Sequence, residues 1–225
     1  MSIAGLVNNF SGGLTAAPGM IAAVFGAGLA PAGTALAAQG LPLPFALGGV
    51  SATVNGVSAP LYYASPGQVN VQIPYETGAG TAVLAINNNG QIATAAFTVA
   101  AVAPGLFPAA IDNSTGIEVA SANVGQVLLL FMTGEGDVTP TLATGATPYP
   151  TTNVANYPQA RQAVTVTVGG VPANLLFQGI PYGLAGATQI DLTVPAGVPS
   201  GPQQVVVSVG GVAAPPLTLT VTASQ

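Results

Sequence analysis

The 225-residue sequence is notable first for the side chains that it lacks. It contains one Arg, no Lys, no His, no Cys and no Trp, and 3% of its residues are charged, against roughly a quarter in an ordinary globular domain. Without His or Cys, no imidazole base, thiolate nucleophile or soft-ligand metal site can be built. Without Lys, a Schiff base and a P-loop lysine are also excluded. We therefore expect a structural or binding protein that is not an enzyme and has no cofactor.

The scarcity of basic residues also limits the partners of the chain. Arg161 is its one basic side chain, so there is no basic patch to neutralise a phosphate backbone, and we expect no nucleic-acid partner. Half of the residues are hydrophobic, but Gly, Pro, Asn, Gln or Thr interrupts them every few positions. The longest nearly unbroken apolar run, residues 127–132, is far shorter than the about 20 residues of a membrane-spanning helix. We expect a chain that does not span a membrane.

An internal repeat organises the sequence. Asn55-Gly56 in the first half and Gly169-Gly170 in the second each lie between alternating Val, Thr and Ala residues. Such dipeptides close two-residue hairpins, because both central positions need a positive φ. Each copy continues with a strand-like segment that ends at Pro74 or at Pro195. Two domains of the same fold are the natural interpretation.

The spacing of these strands predicts an all-β chain of two tandem immunoglobulin-like β-sandwiches, residues 1–103 and 104–225. The Cys and Trp of antibody domains are missing, so the likeness is to the architecture alone. Residues 102–108 join the two copies and are too short and too apolar for a flexible linker. Apart from one turn near residues 33–39, we expect almost no helix.

Short motifs occur in a fixed order along nearly the whole chain. They include Leu47-Gly48-Gly49-Val50, Ser65-Pro66-Gly67-Gln68-Val69-Asn70, Ala103-Pro104-Gly105-Leu106-Phe107, Thr133-Gly134-Glu135-Gly136 and Gln189-Ile190-Asp191-Leu192-Thr193-Val194-Pro195. This series resembles a family of domains at the C-termini of secreted acidobacterial proteins. The resemblance implies secretion and tandem Ig-like or IPT-like sandwiches. The function of that family is not established, so the resemblance implies no activity and no site.

The acidic residues are the main candidates for chemistry. There are six of them: Glu76, Asp112, Glu118, Glu135, Asp137 and Asp191. Glu135 and Asp137 are the only pair close in sequence, and two carboxylates across a cleft could cleave a glycosidic bond or, with further oxygen ligands, bind Ca²⁺. We prefer a glycine-rich bend whose carboxylates face solvent or accept backbone N–H bonds. The sequence thus predicts no catalytic and no metal-binding residue.

Four other polar side chains have simple interpretations. Ser65 begins a turn and has no His or Lys to activate it as a nucleophile. Arg161 is expected to pair with a carboxylate or to cap a carbonyl group. Tyr62 and Tyr63 adjoin on one predicted strand, so one ring should face the core and the other should face solvent. The outward ring would be a ligand contact, since an aromatic face can stack on a sugar.

The apolar N-terminal segment is the candidate for self-assembly. Its apolar side chains include Ile3, Leu6, Val7 and Phe10, and we find no counterpart for it in the second domain. A chain with so few charges lacks the residues that usually keep sheet edges apart. We therefore predict that this segment adds as a strand to a neighbouring copy, which gives a head-to-tail homopolymer.

Two function classes follow from these observations. The first is a self-assembling subunit of an extracellular fibre, sheath or surface layer. The alternative is a carbohydrate- or surface-binding adhesion module with a polysaccharide partner. An extracellular or cell-surface location is expected, because the polar surface must come from uncharged side chains and trypsin-like proteases find almost nothing to cut.

Overall fold

The structure, a computed structural model, describes residues 1–222. Its regular structure is made of short strands, with one turn of 3-10 helix at Val154–Asn156. The first half contains eleven strands: β1 (Ser2–Asn8), β2 (Thr15–Ala16), β3 (Ile21–Ala27), β4 (Leu36–Ala37), β5 (Ala46–Leu47), β6 (Val50–Val54), β7 (Val57–Ala59), β8 (Leu61–Ala64), β9 (Gln68–Gln72), β10 (Gly80–Asn88) and β11 (Gln91–Val99).

The second half contains the remaining strands, beginning after the connecting segment. They are β12 (Gly105–Leu106), β13 (Ala110–Asp112), β14 (Glu118–Val119), β15 (Ser121–Asn123), β16 (Val127–Thr133), β17 (Val138–Thr139), β18 (Gln159–Ala160), β19 (Val164–Val168), β20 (Val171–Pro172), β21 (Asn174–Gly179), β22 (Thr188–Thr193), β23 (Gly201–Val209), β24 (Val212–Ala213) and β25 (Leu217–Thr222).

The strands of the first half form two sheets. One has the order β1-β3-β9-β8-β4, and the other has the order β2-β11-β10-β6-β5, with β7 also paired to β6. Neighbouring strands are antiparallel except for β2 and β11, which are parallel. Since β2 follows β1 in the chain but lies in the opposite sheet, the first strand of this domain is divided between the two sheets.

The second half repeats this arrangement. Its sheets have the orders β14-β13-β16-β22-β21 and β15-β25-β23-β19-β20, with β12 and β24 as additional partners of β16 and β23. The pair β15 and β25 is again parallel, and β17 and β18 form a separate two-stranded ribbon. Within residues 1–222, every strand pair joins two strands of the same half.

These orders are those of the immunoglobulin fold. In that fold the first, second, fifth and fourth strands form one sheet, and the third, sixth and seventh form the other. The predicted fold class, two tandem Ig-like β-sandwiches, is confirmed. The expected turn near residues 33–39 is wrong as a helix, because that segment contains the short strand β4, which pairs with β8.

The repeated hairpins have the predicted geometry. Asn55 and Gly56, between β6 and β7, have φ values of 50° and 82°. Gly169 and Gly170, between β19 and β20, have φ values of 57° and 81°. Both turns therefore place two successive residues in the left-handed region, as a two-residue hairpin requires.

Each sandwich has its own hydrophobic core between its two sheets. In β6, for example, Val50, Ala52 and Val54 are buried while the residues between them are half-buried. This alternation is the strand period that the sequence displays. In the described part of the chain, no helix has the length and apolar character needed to cross a membrane.

Strand β1 is an integral part of the first sandwich. It pairs antiparallel with β3, from Ser2 opposite Ala27 to Asn8 opposite Ala22, and Leu6 is a core residue with 7% exposure. The expectation that this segment has no counterpart in the second domain is wrong, because β13 occupies the same position beside β16. Assembly through the outer edge of β1 stays a prediction.

Candidate functional site at the domain junction

Buried polar side chains concentrate where the two sandwiches meet. Five of the six in the described chain lie at or beside this junction, each at most 1% exposed: Asn8, Gln72, Thr133, Glu135 and Thr188. Burial of a polar group is costly unless the group finds a hydrogen-bond partner. We therefore interpret the junction as a specific interface between the two domains.

Thr133, the last residue of β16, connects the two domains directly. Its hydroxyl accepts a hydrogen bond from the backbone N–H of Ile21, at 2.8 Å, and donates one to the backbone oxygen of Gly186, at 2.6 Å. Ile21 is the first residue of β3. One buried hydroxyl thus joins a central strand of the first domain to a strand and a loop of the second.

Gln72, at the end of β9, holds a loop of the second domain. Its side-chain oxygen accepts a hydrogen bond from the backbone N–H of Gly145, at 2.6 Å. The oxygen of Gly145 in turn accepts from the N–H of Leu43, at 2.8 Å. Thr144 accepts a further bond from the N–H of Tyr75, at 3.1 Å. This loop is therefore fixed to the first domain through its main chain.

Tyr62 lies at the same junction. Its hydroxyl donates a hydrogen bond to the backbone oxygen of Ala185 in the second domain. Burial raises the pKa of Tyr62 to about 12. The side chain thus couples the domains, and it is not the free aromatic face that the sequence suggests.

The expected division between Tyr62 and Tyr63, one inward and one outward, is wrong. A register shift between Leu61 and Tyr63 interrupts the alternation where β8 pairs with β9. As a result, both tyrosines are half-buried. Among the described residues, the side chain of Tyr62 makes a hydrogen bond across the junction and that of Tyr63 makes none. The role of Tyr63 as a ligand contact stays a prediction.

Glu135 is buried, with 0% exposure, so the expectation that it faces solvent is wrong. Among the described residues, neither carboxylate oxygen has a hydrogen-bond partner, and the hydroxyl of Thr188 has none either. Burial raises the pKa of Glu135 from 4.5 to about 7. The nearby amides of Glu135 and Gly134 and the hydroxyl of Thr188 favour the charged form and only partly oppose this shift.

Tyr75 belongs to the same buried region. Its hydroxyl has no hydrogen-bond partner in the described chain. Burial, and next the negative charge of Glu135, raise the pKa of Tyr75 well above 10.0. Together with Tyr62, the junction therefore contains three acidic groups whose pKa is raised by burial.

Two glycines allow the bend around Glu135 to pack against the segment that joins the domains. Gly134 and Gly136 have φ values of 85° and 78°. A Cβ atom would overlap the carbonyl oxygen of Ala103 at the first position and that of Ala101 at the second. Ala103 also accepts a hydrogen bond from the side chain of Asn8, at 3.0 Å. The connecting segment is held by both domains, as expected for a linker that is not flexible.

Asp137 lies on the other side of this bend and faces solvent. It lines a cleft of about 290 Å³ together with Glu76 and Arg161. Arg161 caps a carbonyl group, one of its two predicted roles, since its Nε donates to the oxygen of Val138 at 3.4 Å. Glu135 does not line the cleft. The two carboxylates of the bend therefore do not face one solvent space, as a glycosidase pair must.

The other predicted polar sites are structural as well. Ser65 forms the expected turn, because its hydroxyl donates to the oxygen of Gln68 and accepts from the N–H of Gln68, both at 3.1 Å. Within residues 1–222, no three acidic side chains come together in a way that could hold a metal ion.

Most of the side chains predicted to mediate assembly pack against other residues of the same chain. Leu6 is in the core, and Ile3 packs against it. Phe10 contacts Phe107 of the second domain edge to face, with ring centroids 5.7 Å apart. Val7 is half-buried. The part of β1 that is open to a neighbour is therefore its backbone edge and not its apolar side chains.

A groove of about 660 Å³ opens beside the junction, and we refer to it as the loop groove. It is lined by the connection between β17 and β18, by Pro42 of the first domain and by Tyr182 between β21 and β22. Tyr149 and Tyr182 are 92% and 58% exposed. No charged side chain lines the loop groove. It is a second candidate site, suited to a neutral ligand.

Internal bonds hold the walls of the loop groove. The N–H of Gly183 donates to the hydroxyl of Thr147, at 2.7 Å. The hydroxyl of Tyr157 donates to the oxygen of Thr151, at 3.3 Å, and its ring packs edge to face on Phe177. These contacts join the loops that line the groove.

Sequence reasoning missed both the junction and the loop groove. Tyr–Pro neighbours recur near the groove at Tyr149, Tyr157 and Tyr182, but Tyr75 at the junction also follows a proline, Pro74. The pattern therefore does not distinguish the two sites. The polar residues of the junction are ordinary strand-end residues that become important only when the second domain packs on them.

No family model and no curated protein matches the chain. Among solved structures, it is similar to a plexin A4 extracellular region, with 12% identity, a TM-score of 0.33, and coverage of 98% of this chain and 18% of that chain. Tandem Ig repeats of Dlar match with 13% identity and a TM-score of 0.25, over 93% of each chain. A titin Ig tandem matches with 11% identity and a TM-score of 0.24, over 93% of this chain and 92% of that chain.

The chain spans less than a fifth of the length of the plexin A4 chain. TM-scores and identities this low carry no argument about function. The assignment of each half as an immunoglobulin-like sandwich rests on its own strand order and register.

Proposed function

We propose that the chain is a non-enzymatic, extracellular structural subunit that assembles with copies of itself into a fibre, sheath or surface layer. The observation that carries this proposal is a long strand edge that is both unpaired and free of charge. The hydrogen bonds across the junction support it, because they hold the two domains of one subunit together.

The unpaired edge belongs to β11. This strand pairs with β10 along its whole length, from Gln91 to Val99. On its other side, β2 covers it only at Thr98 and Val99. Residues 91–97 therefore have no strand partner on that side among the described residues. The outer edge of β1, at the end of the other sheet, is open in the same way.

The β11 edge lacks the usual protection against strand addition, whereas a register shift between Ile3 and Gly5 interrupts the pairing of β1 with β3. Natural sheets protect their edges with Lys, inward charges, Pro or bulges. Strand β11 contains no charged residue and no Pro, and Glu76 is the one charged side chain in residues 1–111. Ile92 on β11 is also 67% exposed. Strand addition between copies would pair these backbone groups, and such a heterologous contact produces filaments when its rotation does not close.

The absence of an activity is part of the proposal. Glu135 is buried away from the solvent cleft, and Arg161 is used as a carbonyl cap. The hydroxyl groups of Ser and Thr have no His or Lys side chain to activate them as nucleophiles. An extracellular location is supported by the near absence of Lys and Arg, since it leaves trypsin-like proteases almost no cleavage sites.

The test compares self-assembly of the wild type with that of edge variants. Thr94→Lys and Ala96→Lys place a charge on exposed positions of β11, and Thr81→Lys places the same charge on an exposed position of the inner strand β10. Static light scattering over a concentration series measures assembly, and circular dichroism checks the fold. We expect assembly to be lost in the two edge variants and kept in the control.

Equal assembly of all four proteins would exclude the β11 edge as the contact. A wild type that stays monomeric at every concentration would exclude the structural function itself.

A carbohydrate- or surface-binding module is the second candidate function. The observation that favours it is the loop groove, with its uncharged lining and its two exposed tyrosines. Monomers that bind a polysaccharide would support this function over self-assembly.

A further inference from the structure

The loop groove lies where the longest loops of the two domains meet. In each domain the connection after the second core strand is long, residues 28–49 in the first and 134–163 in the second, and contains only short strands or turns. In antibody variable domains the loop at this position contributes to the antigen-binding surface. Connections this long are usually functional. The bond from the N–H of Leu43 to Gly145 joins the two loops.

The lining of the groove is uncharged and rich in proline. Its residues are Pro, Thr, Ala, Leu, Asn and Tyr. Five of them are prolines, which fix φ and reduce the entropy that a ligand must remove on binding: Pro42, Pro140, Pro148, Pro150 and Pro158. A preformed neutral groove selects a neutral ligand, because a charged group would enter it without a partner.

The polar groups of the lining match hydroxyl-rich ligands. Hydroxyl groups, such as those of Thr141 and Thr147, both donate and accept hydrogen bonds, and the amide of Asn156 does the same. Tyr149 and Tyr182 each present an apolar ring face with a polar end. A pyranose ring has the complementary surface, an apolar face of C–H groups with hydroxyl groups at its edge.

From these features we infer that the loop groove binds a neutral polysaccharide, with Tyr149 and Tyr182 stacking on sugar rings. This inference rests on the second candidate function and specifies its site and its ligand class. It does not depend on self-assembly, because the unpaired strand edges are formed by other residues.

A proline-rich peptide fits the groove less well than a sugar chain. Recognition of such a peptide needs donors for its backbone oxygens, and the five lining prolines reduce the number of donors because they have no backbone N–H. An acidic polysaccharide is disfavoured as well, because Arg161, the one basic side chain, does not line the groove.

The experiment is affinity electrophoresis of the full chain in gels that contain amylose, galactomannan, xyloglucan or alginate. The variants are Tyr149→Ala, Tyr182→Ala and Tyr182→Phe, and Phe25→Ala removes a 42% exposed aromatic ring outside the groove as the matched control. A peptide of ten prolines is the competing probe.

We expect retardation by at least one of the three neutral polysaccharides and none by alginate. Each Tyr→Ala variant should bind about fivefold more weakly, since one aromatic stacking contact contributes about 1 kcal/mol. Tyr182→Phe and Phe25→Ala should bind like the wild type. Circular dichroism confirms that the variants are folded.

The possible outcomes test the position of the binding site separately from the polysaccharide-binding function. If the wild type binds a neutral polysaccharide and both Tyr→Ala variants bind equally well, the groove is the wrong site while the binding function stands. If the wild type binds none of the polysaccharides, or binds only the proline peptide or alginate, both the site and its ligand class are wrong.

Discussion

Replacement of Glu135 by Gln should make the protein more stable at alkaline pH and leave it nearly unchanged in acid. Glu135 is completely buried at the domain junction, and its carboxylate has no hydrogen-bond partner among the described residues. Gln has almost the same shape and carries no charge at any pH. The substitution therefore removes the cost of a buried negative charge and keeps the packing.

The magnitude follows from the pKa of Glu135, which burial raises from 4.5 to about 7. Between these two pH values the folded state keeps a proton that the unfolded chain has released. The contribution of this group to stability is thus complete below pH 4.5 and is lost as the pH rises through 7. A difference of about 2.5 pKa units corresponds to about 3 kcal/mol of free energy of unfolding.

The assay is urea unfolding of the wild type and Glu135→Gln at pH 4 and pH 8, followed by tyrosine fluorescence. The variant should exceed the wild type by about 3 kcal/mol at pH 8 and by less than about 1 kcal/mol at pH 4. Asp137→Asn, an exposed carboxylate on the same bend, is the control and should show no such difference. A gain from Glu135→Gln that is equal at both pH values would refute the reasoning.

Three further substitutions test the junction by urea unfolding. Thr133→Val leaves the Ile21 N–H and the Gly186 oxygen buried without a partner and should cost about 2 to 4 kcal/mol; a cost below about 0.5 kcal/mol would mean that the hydroxyl does not join the domains. Gly116 has a positive φ of 69°, similar to that of Gly136, but open space around it, so Gly116→Ala should lower the free energy of unfolding by about 1 kcal/mol. Gly136→Ala should lower it clearly more, because the added Cβ would overlap the carbonyl oxygen of Ala101. Equal losses would contradict the packing against Ala101. Tyr62→Phe should cost about 1 kcal/mol, and no change would show that its bond to Ala185 contributes nothing.

Local sequence patterns were sufficient to predict the fold class. The alternation around Asn55-Gly56 and Gly169-Gly170 predicts strands and two-residue turns, and both turns have that geometry. Strand period and turn chemistry are local properties, so they can be derived from neighbouring residues. The short strand β4 cannot be predicted in this way, because two residues show no period and the pairing of β4 with β8 is a long-range contact.

The candidate sites were harder to predict, because they depend on the packing of one domain on the other. Glu135 lies in a glycine-rich bend that is typical of an exposed turn, yet the connecting segment and the first domain cover it. Strict alternation along β8 predicts that Tyr62 and Tyr63 face opposite sides, but the register shift between Leu61 and Tyr63 interrupts this alternation. The apolar N-terminal pattern predicts that Phe10 contacts a neighbouring copy, but its ring packs on Phe107 of the same chain.

The central claim is that this chain is a self-assembling structural subunit, and negative-stain electron microscopy of the purified wild type over a concentration series tests it most directly. Strand addition through open, uncharged edges predicts regular filaments or sheets above a threshold concentration. Separate two-domain particles at every concentration would contradict the account.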